Sequence, residues 1–341
     1  MATERAASTL DQRLEDYETS PVPANTTRNW LEQAGVYIGI VICLPAFFTG
    51  GTIAAGLAFW EGTFALIIGC AILTVIGALV GTIGARTRLP TAMTCRYAFG
   101  VTGSKIIGAV LFIPLWGWFA FNAGLFGLTA QILLKQTIGL DLPVWIPILI
   151  GSLAMMTTAV LGYRGIAWLS WWAVPLLLLL FLWALWGTLN VHPLSVLASK
   201  GATGQAMPFA AGIAAMVGGM AVGVTITPDV TRYSRSVSHS VFGLVVALLF
   251  FMPLMVWLGA AFAYAWGNPN LVEVMTVTMQ LGAFAFIVLI LSTWTTNDNN
   301  LYSSALGLSN IIPWPKWRLT VIVGLISTAV AVTQVYNYLL T

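Results

Sequence analysis

The residues best suited to chemistry form a run of hydrogen-bonding side chains between Ser292 and Asn300, with the sequence STWTTNDNN. This run lies inside an apolar segment, about 282–308, that is long enough to cross a bilayer. Lipid offers no hydrogen-bond partners, and an unsatisfied polar group in it costs several kcal/mol. The run must therefore face other helices, water or a ligand, which predicts a substrate and ion site at membrane depth.

The composition excludes an ordinary soluble domain. Hydrophobic residues make up 59% of the chain and charged residues 7%. The net charge of +3 comes from basic residues spread between the apolar segments, so no nucleic-acid partner is expected. The three cysteines, Cys43, Cys70 and Cys95, have no metal-ligand spacing. These features predict an all-α integral membrane protein.

The elements that position the polar run are predicted to be about nine membrane spans of ~20 residues each. They lie near 34–59, 63–83, 106–134, 144–161, 166–189, 206–230, 241–266, 282–308 and 319–340. Residues 1–33 are polar and lack a signal-peptide core, so we interpret them as a mostly flexible cytoplasmic tail. With this end inside, only Lys135 and Lys200 among the basic residues fall in outer segments, as the positive-inside rule requires.

Two of the predicted spans are interrupted by glycine and proline. The first contains Pro45 followed by Gly50-Gly51, and the sixth contains Gly218-Gly219, Gly223 and Pro228. A simple proline kink in the first span and close glycine packing in the sixth are the alternatives to true breaks. Paired breaks indicate a binding site between two inverted five-helix repeats, here 34–190 and an incomplete 206–341 containing helices 6 to 9.

Three hydroxyl residues of the polar run could bind a cation. Ser292, Thr295 and Thr296 follow the i, i+3, i+4 spacing of one helix face. Together with carbonyl oxygens freed by a broken first helix, they would offer the neutral oxygen ligands that suit sodium, by analogy with other hard cations. The alternative is that each hydroxyl bonds back to its own helix.

Asp298 and Asp229 are the acids nearest to membrane depth, and they leave proton coupling open. The structural alternative is that they pair with Arg232, Arg235 or backbone donors. A membrane-embedded enzyme is disfavoured, because the spans contain no central histidine, no clustered carboxylates and no paired cysteines.

Short motifs in several spans occur together in a known family. They are Trp294-Thr295-Thr296-Asn297-Asp298-Asn299 in the eighth span, Thr49-Gly50-Gly51-Thr52 in the first, Gly117-Trp118-Phe119 in the third, and Asp229 with Arg232 and Arg235 after the sixth. In these residues the chain resembles the nucleobase–cation symporter-1 family, in particular its cytosine permease branch. The resemblance implies a leucine-transporter-type inverted-repeat fold of twelve helices with helices 1 and 6 broken, so we expect a chain truncated after about nine.

The resemblance also implies particular ligands. Backbone carbonyls of Gly39 and Ile42 would bind sodium together with Ser292, Thr295 and Thr296, although an asparagine commonly replaces the serine in the cytosine permeases. The substrate would stack on Trp118 and hydrogen-bond to Asn297.

Departures from the cytosine branch concern the substrate pocket. Gly219, Met220 and Val222 replace more polar or aromatic residues of the sixth span, and Leu115 stands where glutamine is frequent. Because unpaired polar groups of a ligand are costly, we expect a substituted pyrimidine or a purine rather than cytosine itself.

The sequence thus predicts a sodium-coupled importer of a nucleobase-like ring in the plasma membrane, not an enzyme. Sodium is the coupling ion, no other cofactor is expected, and the partners are the small-molecule substrate and the lipid bilayer. A proton-coupled symporter of the same substrates and a non-transporting membrane scaffold are the alternatives.

Overall fold

The computed structural model describes residue 11, residues 14–268 and residues 270–334, and within these the protein is helical. Beyond an isolated bridge between Arg28 and Ser234, no strand occurs in that part of the chain. The first helices are α1 (Trp30–Val41), α2 (Leu44–Gly56), α3 (Phe59–Thr87), α4 (Thr91–Ile138), α5 (Trp145–Leu161), α6 (Tyr163–Val191) and α7 (Leu194–Ala198). They are followed by α8 (Phe209–Thr225), α9 (Pro228–Thr231), α10 (Val237–Val245), α11 (Met252–Trp266), α12 (Leu271–Glu273), α13 (Gly282–Ser309) and α14 (Lys316–Val332). π-helical turns at Val246–Phe251 and Val274–Thr278 follow α10 and α12.

Every predicted span corresponds to a helix or a helix pair, but not every one is long and apolar enough to cross a bilayer. Five stretches of the described chain are, namely α3, α4, α6, α8 with α9, and α10 with α11, and the bent pair α1–α2 brings the number to six. Of the other three, α5 is apolar but only 17 residues long, and α13 carries the polar run. The end of the predicted ninth span, 335–340, lies outside the described residues. By length and composition alone, six of the nine predicted spans are therefore supported.

The outer faces of the long helices are strongly apolar. Phe64, Val75 and Leu79 on α3 are 56%, 61% and 66% exposed, and Leu179 on α6 is 66% exposed. Continuous apolar surface of this kind marks an interaction with a membrane or with other protein. On helices long enough to span a bilayer, it indicates contact with lipid.

The first span is broken, as its sequence predicts. α1 ends at Val41, α2 begins at Leu44, and the two helices are bent by 58°. Pro45 stands in the first turn of α2, where a helix has no use for an N–H donor. Because proline has no N–H, it also cannot donate to a carbonyl at the end of α1. The N–H of Cys43 donates to the carbonyl oxygen of Val41 at 3.1 Å and so does not reach the carbonyl of Gly39 four residues earlier.

The sixth span differs from its prediction. Of the residues predicted to interrupt it, Gly218, Gly219 and Gly223 do not, because α8 runs as one helix through them to Thr225. The interruption comes later, at Ile226 and Thr227, directly before Pro228 begins α9. Glycines lower helix propensity, but the apolar helix around them is continuous, and the proline sets its limit.

α13 lies at the centre of the bundle. It packs most extensively on α4 and also contacts α1, α5, α6 and α14. Near one end the α4 and α13 backbones almost touch, since a Cβ on Gly108 would lie 2.7 Å from the carbonyl oxygen of Gly307. Close approach through small residues is how helices associate in a membrane. This packing fixes which side of the polar run faces which neighbour.

The segment before α1 is not a flexible tail where the structure describes it. Asp16 is 4% exposed, and one of its carboxylate oxygens lies 3.2 Å from the Arg232 guanidinium and 3.8 Å from Lys316 Nζ. Val22 is also buried, and its N–H donates to the carbonyl oxygen of Arg88. The prediction of flexibility for 1–33 is therefore wrong for residues 14–33, because a buried ionic cluster attaches this segment to the bundle.

Candidate functional site

Two adjoining cavities lie between the bent first span, α4 and α8. The larger has a volume of about 400 Å³ and the smaller about 60 Å³. The smaller is called the deeper cavity here because Thr296 and Asn300 of the central helix α13 line it. Both are lined by Cys43, Pro45, Trp118, Gly219 and Met220. The break between α1 and α2 thus opens directly onto both cavities.

The larger cavity is mainly apolar. Its walls include Phe48 from α2, Phe121 and Leu125 from α4, and Met216 from α8. Thr49 and Thr52 also line it, but their hydroxyls donate to carbonyls of their own helix at 3.0 Å. This volume therefore suits an apolar group.

The deeper cavity holds most of the predicted substrate residues. Trp118, Leu115, Gly219, Met220 and Val222 all line it. The Trp118 ring is half-buried and meets the Phe121 ring edge-on, with 5.5 Å between the ring centroids. A half-buried ring at a cavity wall is available for stacking on a flat ligand.

Asn297 does not line either cavity, in contrast to its predicted role. Its side chain is fully buried, and its Nδ2 donates to the carbonyl oxygen of Phe119 at 3.2 Å. Met155 Sδ lies 3.5 Å from the same nitrogen. The amide thus joins α13 to α4, and the predicted direct hydrogen bond to a substrate is not supported by this geometry.

Two other amides line the deeper cavity instead, those of Asn122 and Asn300. Asn122 follows Trp118 by four residues and Asn300 follows Thr296 by four, so each shares a helix face with a residue that was predicted to bind. This spacing could have identified both from the sequence.

The hydroxyl of Thr296 lies at the break in the first span. Its Oγ1 is 3.3 Å from the Gly39 carbonyl oxygen, 3.1 Å from that of Ile40 and 3.1 Å from that of Ser292. One hydroxyl proton can serve only one of these three acceptors. The cluster therefore contains more oxygen lone pairs than donors, which suits a small hard cation.

The other predicted sodium ligands near this cluster differ in whether their polar groups are already hydrogen-bonded. Ser292 Oγ is buried and has no hydrogen-bond partner within the described chain. Thr295 packs on Gly39 but its hydroxyl donates to the carbonyl oxygen of Leu291 at 3.0 Å, within its own helix. Ile42 caps the C-terminus of α1 at the break, and its N–H bonds to the Ile38 carbonyl. Among the predicted ligands, the side chains of Thr296 and Ser292 therefore fit a cation site best.

Ser170 on α6 is a further hydroxyl that the sequence did not single out. A Cβ on Gly39 would lie 3.0 Å from Ser170 Oγ, so this oxygen lies against the broken helix. It too is buried without a partner within the described residues. An orphaned buried hydroxyl beside free carbonyls is a polar group that a cation would satisfy.

The two acids at membrane depth have neutral partners rather than arginines. Asp298 accepts from Thr158 Oγ1 at 2.9 Å and from Asn299 Nδ2 at 3.2 Å. Asp229 accepts from the N–H and the hydroxyl of Thr91, both at 2.8 Å. Neither acid lines the two cavities. The predicted pairing with backbone donors thus holds for Asp229, which accepts from the Thr91 N–H. Its carboxylate does not pair with Arg232.

A bent, apolar helix bundle with a central cavity beside an oxygen-rich break defines a helical membrane transporter. Comparison with known proteins makes the class specific. The model of a family described as permeases for cytosine/purines, uracil, thiamine and allantoin matches residues 21–338. The chain belongs to this family.

Individual known proteins are also similar to this chain over most of its length. The cytosine permease of Escherichia coli (strain K12) is 32% identical over 325 residues, which cover 95% of this chain and 75% of that permease. Mhp1, a nucleobase-cation-symport-1 family transporter solved in a closed conformation with bromovinylhydantoin bound, superimposes with a TM-score of 0.84 at 20% identity, over 94% of this chain and 75% of Mhp1. A Na⁺-coupled sialic acid symporter superimposes with a TM-score of 0.67 at 13% identity, over 97% of this chain and 79% of that one.

These comparisons confirm the predicted family and the leucine-transporter-type fold. The protein is a multi-pass membrane transporter of the nucleobase permease class and not an enzyme. The division into repeats at 34–190 and 206–341 and the individual ligand roles remain predictions.

Proposed function

We propose that this protein imports a nucleobase-like heteroaromatic ring by alternating access, driven by sodium, across a plasma membrane with its N-terminus in the cytoplasm. The observation that carries the sodium proposal is the position of Thr296. Its hydroxyl joins α13 to the carbonyl oxygens of Gly39 and Ile40 at the broken first span. The distribution of basic residues supports the orientation.

Coupling would arise because one break borders both sites. Cys43 and Pro45, which line the cavities, come directly after the residues that would hold the ion. A sodium ion at the carbonyls of Gly39 and Ile40 would hold α1 and α13 in one arrangement and so complete the cavity wall for the ring. By linkage, the substrate must raise sodium affinity by the same factor as sodium raises substrate affinity.

The size and polarity of the cavities support a substituted pyrimidine or a purine over cytosine. A flat ring would stack on Trp118 in the deeper cavity, and a substituent would extend into the apolar volume of about 400 Å³. Family membership and the hydantoin bound to Mhp1 support a ring of this class.

The test is equilibrium binding of a panel of nucleobases and substituted pyrimidines to the purified chain, in sodium against potassium. We expect at least one ring to bind about tenfold or more tightly in sodium, which corresponds to a coupling of about 1.4 kcal/mol. Thr296→Val should remove this difference, because valine keeps the shape but loses the oxygen. Thr328→Val is the matched control, since the Thr328 hydroxyl bonds only to Gly324 of its own helix in α14.

Binding that is equal in sodium and potassium would contradict sodium coupling. Uptake that rises with acidity and depends on Asp298 would then favour the proton-coupled alternative. Failure of the wild-type chain to bind any ring in either salt would contradict the substrate class.

A further inference from the structure

Asn300 is unusual among the polar residues of α13. Between 292 and 307 every residue is buried except Trp294 and Asn300. Asn300 is half-buried and lines the deeper cavity together with Trp118 and Thr296. Its carboxamide makes no side-chain hydrogen bond to any described residue. The amide is therefore free at the cavity wall.

The neighbouring amides of the helix are already used. Asn297 donates to the Phe119 carbonyl on α4, and Asn299 donates to the Thr295 carbonyl within α13. The Asn122 amide faces Asn297 Oδ1 at 3.5 Å, across the α4–α13 contact. Of the amides at 297, 299 and 300, only that of Asn300 both lines the deeper cavity and makes no hydrogen bond to a described residue.

A carboxamide offers one N–H donor and one carbonyl acceptor side by side. This pattern pairs with a ring edge that carries an acceptor beside a donor, as asparagine pairs with adenine in bidentate recognition. A lactam edge, in which a ring N–H adjoins a C=O, has this arrangement. Leu115, Met220 and Val222 on the other walls of the deeper cavity are apolar, and the Asn122 amide that also lines it already faces Asn297.

We propose that Asn300 recognises the lactam or amidine edge of the substrate ring, and that Asn297 is a positioning residue that holds α13 against α4. This inference rests on the proposed function, because it assigns the polar contact of the same ring that stacks on Trp118. It predicts that substrates carry a donor beside an acceptor on one edge of the ring. It also places the recognition residue one helical turn from Thr296, so ring and ion would act on the same face of α13.

The experiment measures binding of hypoxanthine and 5-benzyluracil in sodium, each against the analogue methylated on every lactam nitrogen (N1 of hypoxanthine, N1 and N3 of the uracil). In the wild-type chain, methylation should weaken binding about tenfold or more, as loss of a bidentate pair does. Asn300→Ala should weaken binding of the parent rings about tenfold and reduce the effect of methylation to about twofold. Asn299→Ala, which removes an adjacent amide that faces its own helix, should keep the full effect of methylation.

A second variant keeps the inference testable if alanine disturbs the helix. Asn300→Asp replaces the donor–acceptor pair with two acceptors at nearly the same size. Guanine presents two adjacent donors, N1–H and the 2-amino group, so its affinity relative to hypoxanthine should rise about tenfold or more. A purely structural role of Asn300 would not change this ratio.

The outcomes separate the inference from the function on which it rests. If the wild-type chain binds a ring in sodium and both variants keep its methylation effect and its guanine-to-hypoxanthine ratio, the role of Asn300 is overturned while the transporter assignment stands. If the wild-type chain binds no ring at all, the proposed function fails and this inference fails with it.

Discussion

At the scale of single residues, the surroundings of the buried oxygen atoms differ between Asp298 and Thr296. Asp298 is fully buried and does not line the cavities; one carboxylate oxygen accepts from Thr158 on α5 and the other from Asn299 on α13. The Trp294 indole also donates to Thr158 Oγ1, at 2.9 Å. This network is suited to holding α13 against α5. The cluster at Thr296, by contrast, contains more hydrogen-bond acceptors than donors.

Replacing Asp298 therefore separates a structural from a coupling role. Asp298→Ala should lower the free energy of unfolding by about 1–3 kcal/mol, because Thr158 loses a buried partner. Asp298→Asn retains an acceptor and should cost less. Both variants should keep sodium-dependent ring binding, measured as in the wild type alongside thermal unfolding. Loss of sodium-dependent binding in Asp298→Asn at unchanged stability would contradict this and make the acid part of the coupling.

At the scale of helices, two close backbone contacts position the broken span. A Cβ on Gly50 of α2 would overlap the Val256 carbonyl oxygen of α11, and one on Gly259 of α11 would overlap the Phe47 carbonyl oxygen of α2. The pair α2–α11 thus packs backbone to backbone, as small residues allow in membranes. Because α2 lines the larger cavity, this contact also sets the cavity width.

An added methyl group at this contact should be costly. Gly50→Ala is expected to lower the free energy of unfolding by about 1–3 kcal/mol, because backbone atoms cannot move aside as a flexible side chain can. Gly35→Ala on α1 is the matched control, since nothing lies within 4 Å of its Cβ position. The control should be neutral or stabilising by up to about 1 kcal/mol through helix propensity. Equal thermal stability of the two variants would show that the α2–α11 contact relaxes easily.

At the scale of the whole molecule, the segment before α1 ties distant parts of the bundle together. Asp16 contacts Arg232, which follows α9, and Lys316, which begins α14, while Tyr233 Oη donates to the same carboxylate at 2.7 Å. Burial opposes the charge of the Arg232 guanidinium, but nearby Tyr233, Tyr302 and Asp16 outweigh it and raise its pKa. The guanidinium therefore stays charged and needs its buried carboxylate.

Breaking this cluster should destabilise the protein strongly. Asp16→Ala leaves two buried cations without their carboxylate and is expected to cost about 3–5 kcal/mol. The comparison is Asp141→Ala, which breaks an ion pair with Lys135 whose side chains are 63% (Lys135) and 59% (Asp141) exposed, and which should cost about 1 kcal/mol or less. Thermal unfolding of both variants in one detergent measures the difference. A small effect of Asp16→Ala would mean that the segment is dispensable for folding.

The sequence by itself determined the class of the protein and the chemistry available to it. Apolar runs required membrane helices, because only helices satisfy the backbone in lipid. Pro45 located a kink or break in the first span, because it removes a donor wherever it stands. The hydroxyls at 292, 295 and 296 had to share a face through helical spacing alone. These are local properties, and no distant part of the chain is needed to establish them.

Only the tertiary structure decided which way those faces point. Helical spacing fixes the angle between Asn297 and Asn300 but not the rotation of α13 about its own axis, which packing against α4 and α5 sets. That rotation turned Asn297 into the helix contact and Asn300 to the cavity. The burial of Asp16 could not be predicted from the sequence either, because its partners Arg232 and Lys316 lie hundreds of residues away along the chain. Long-range contacts of this kind leave no periodic signal, and they exist only once the bundle has formed.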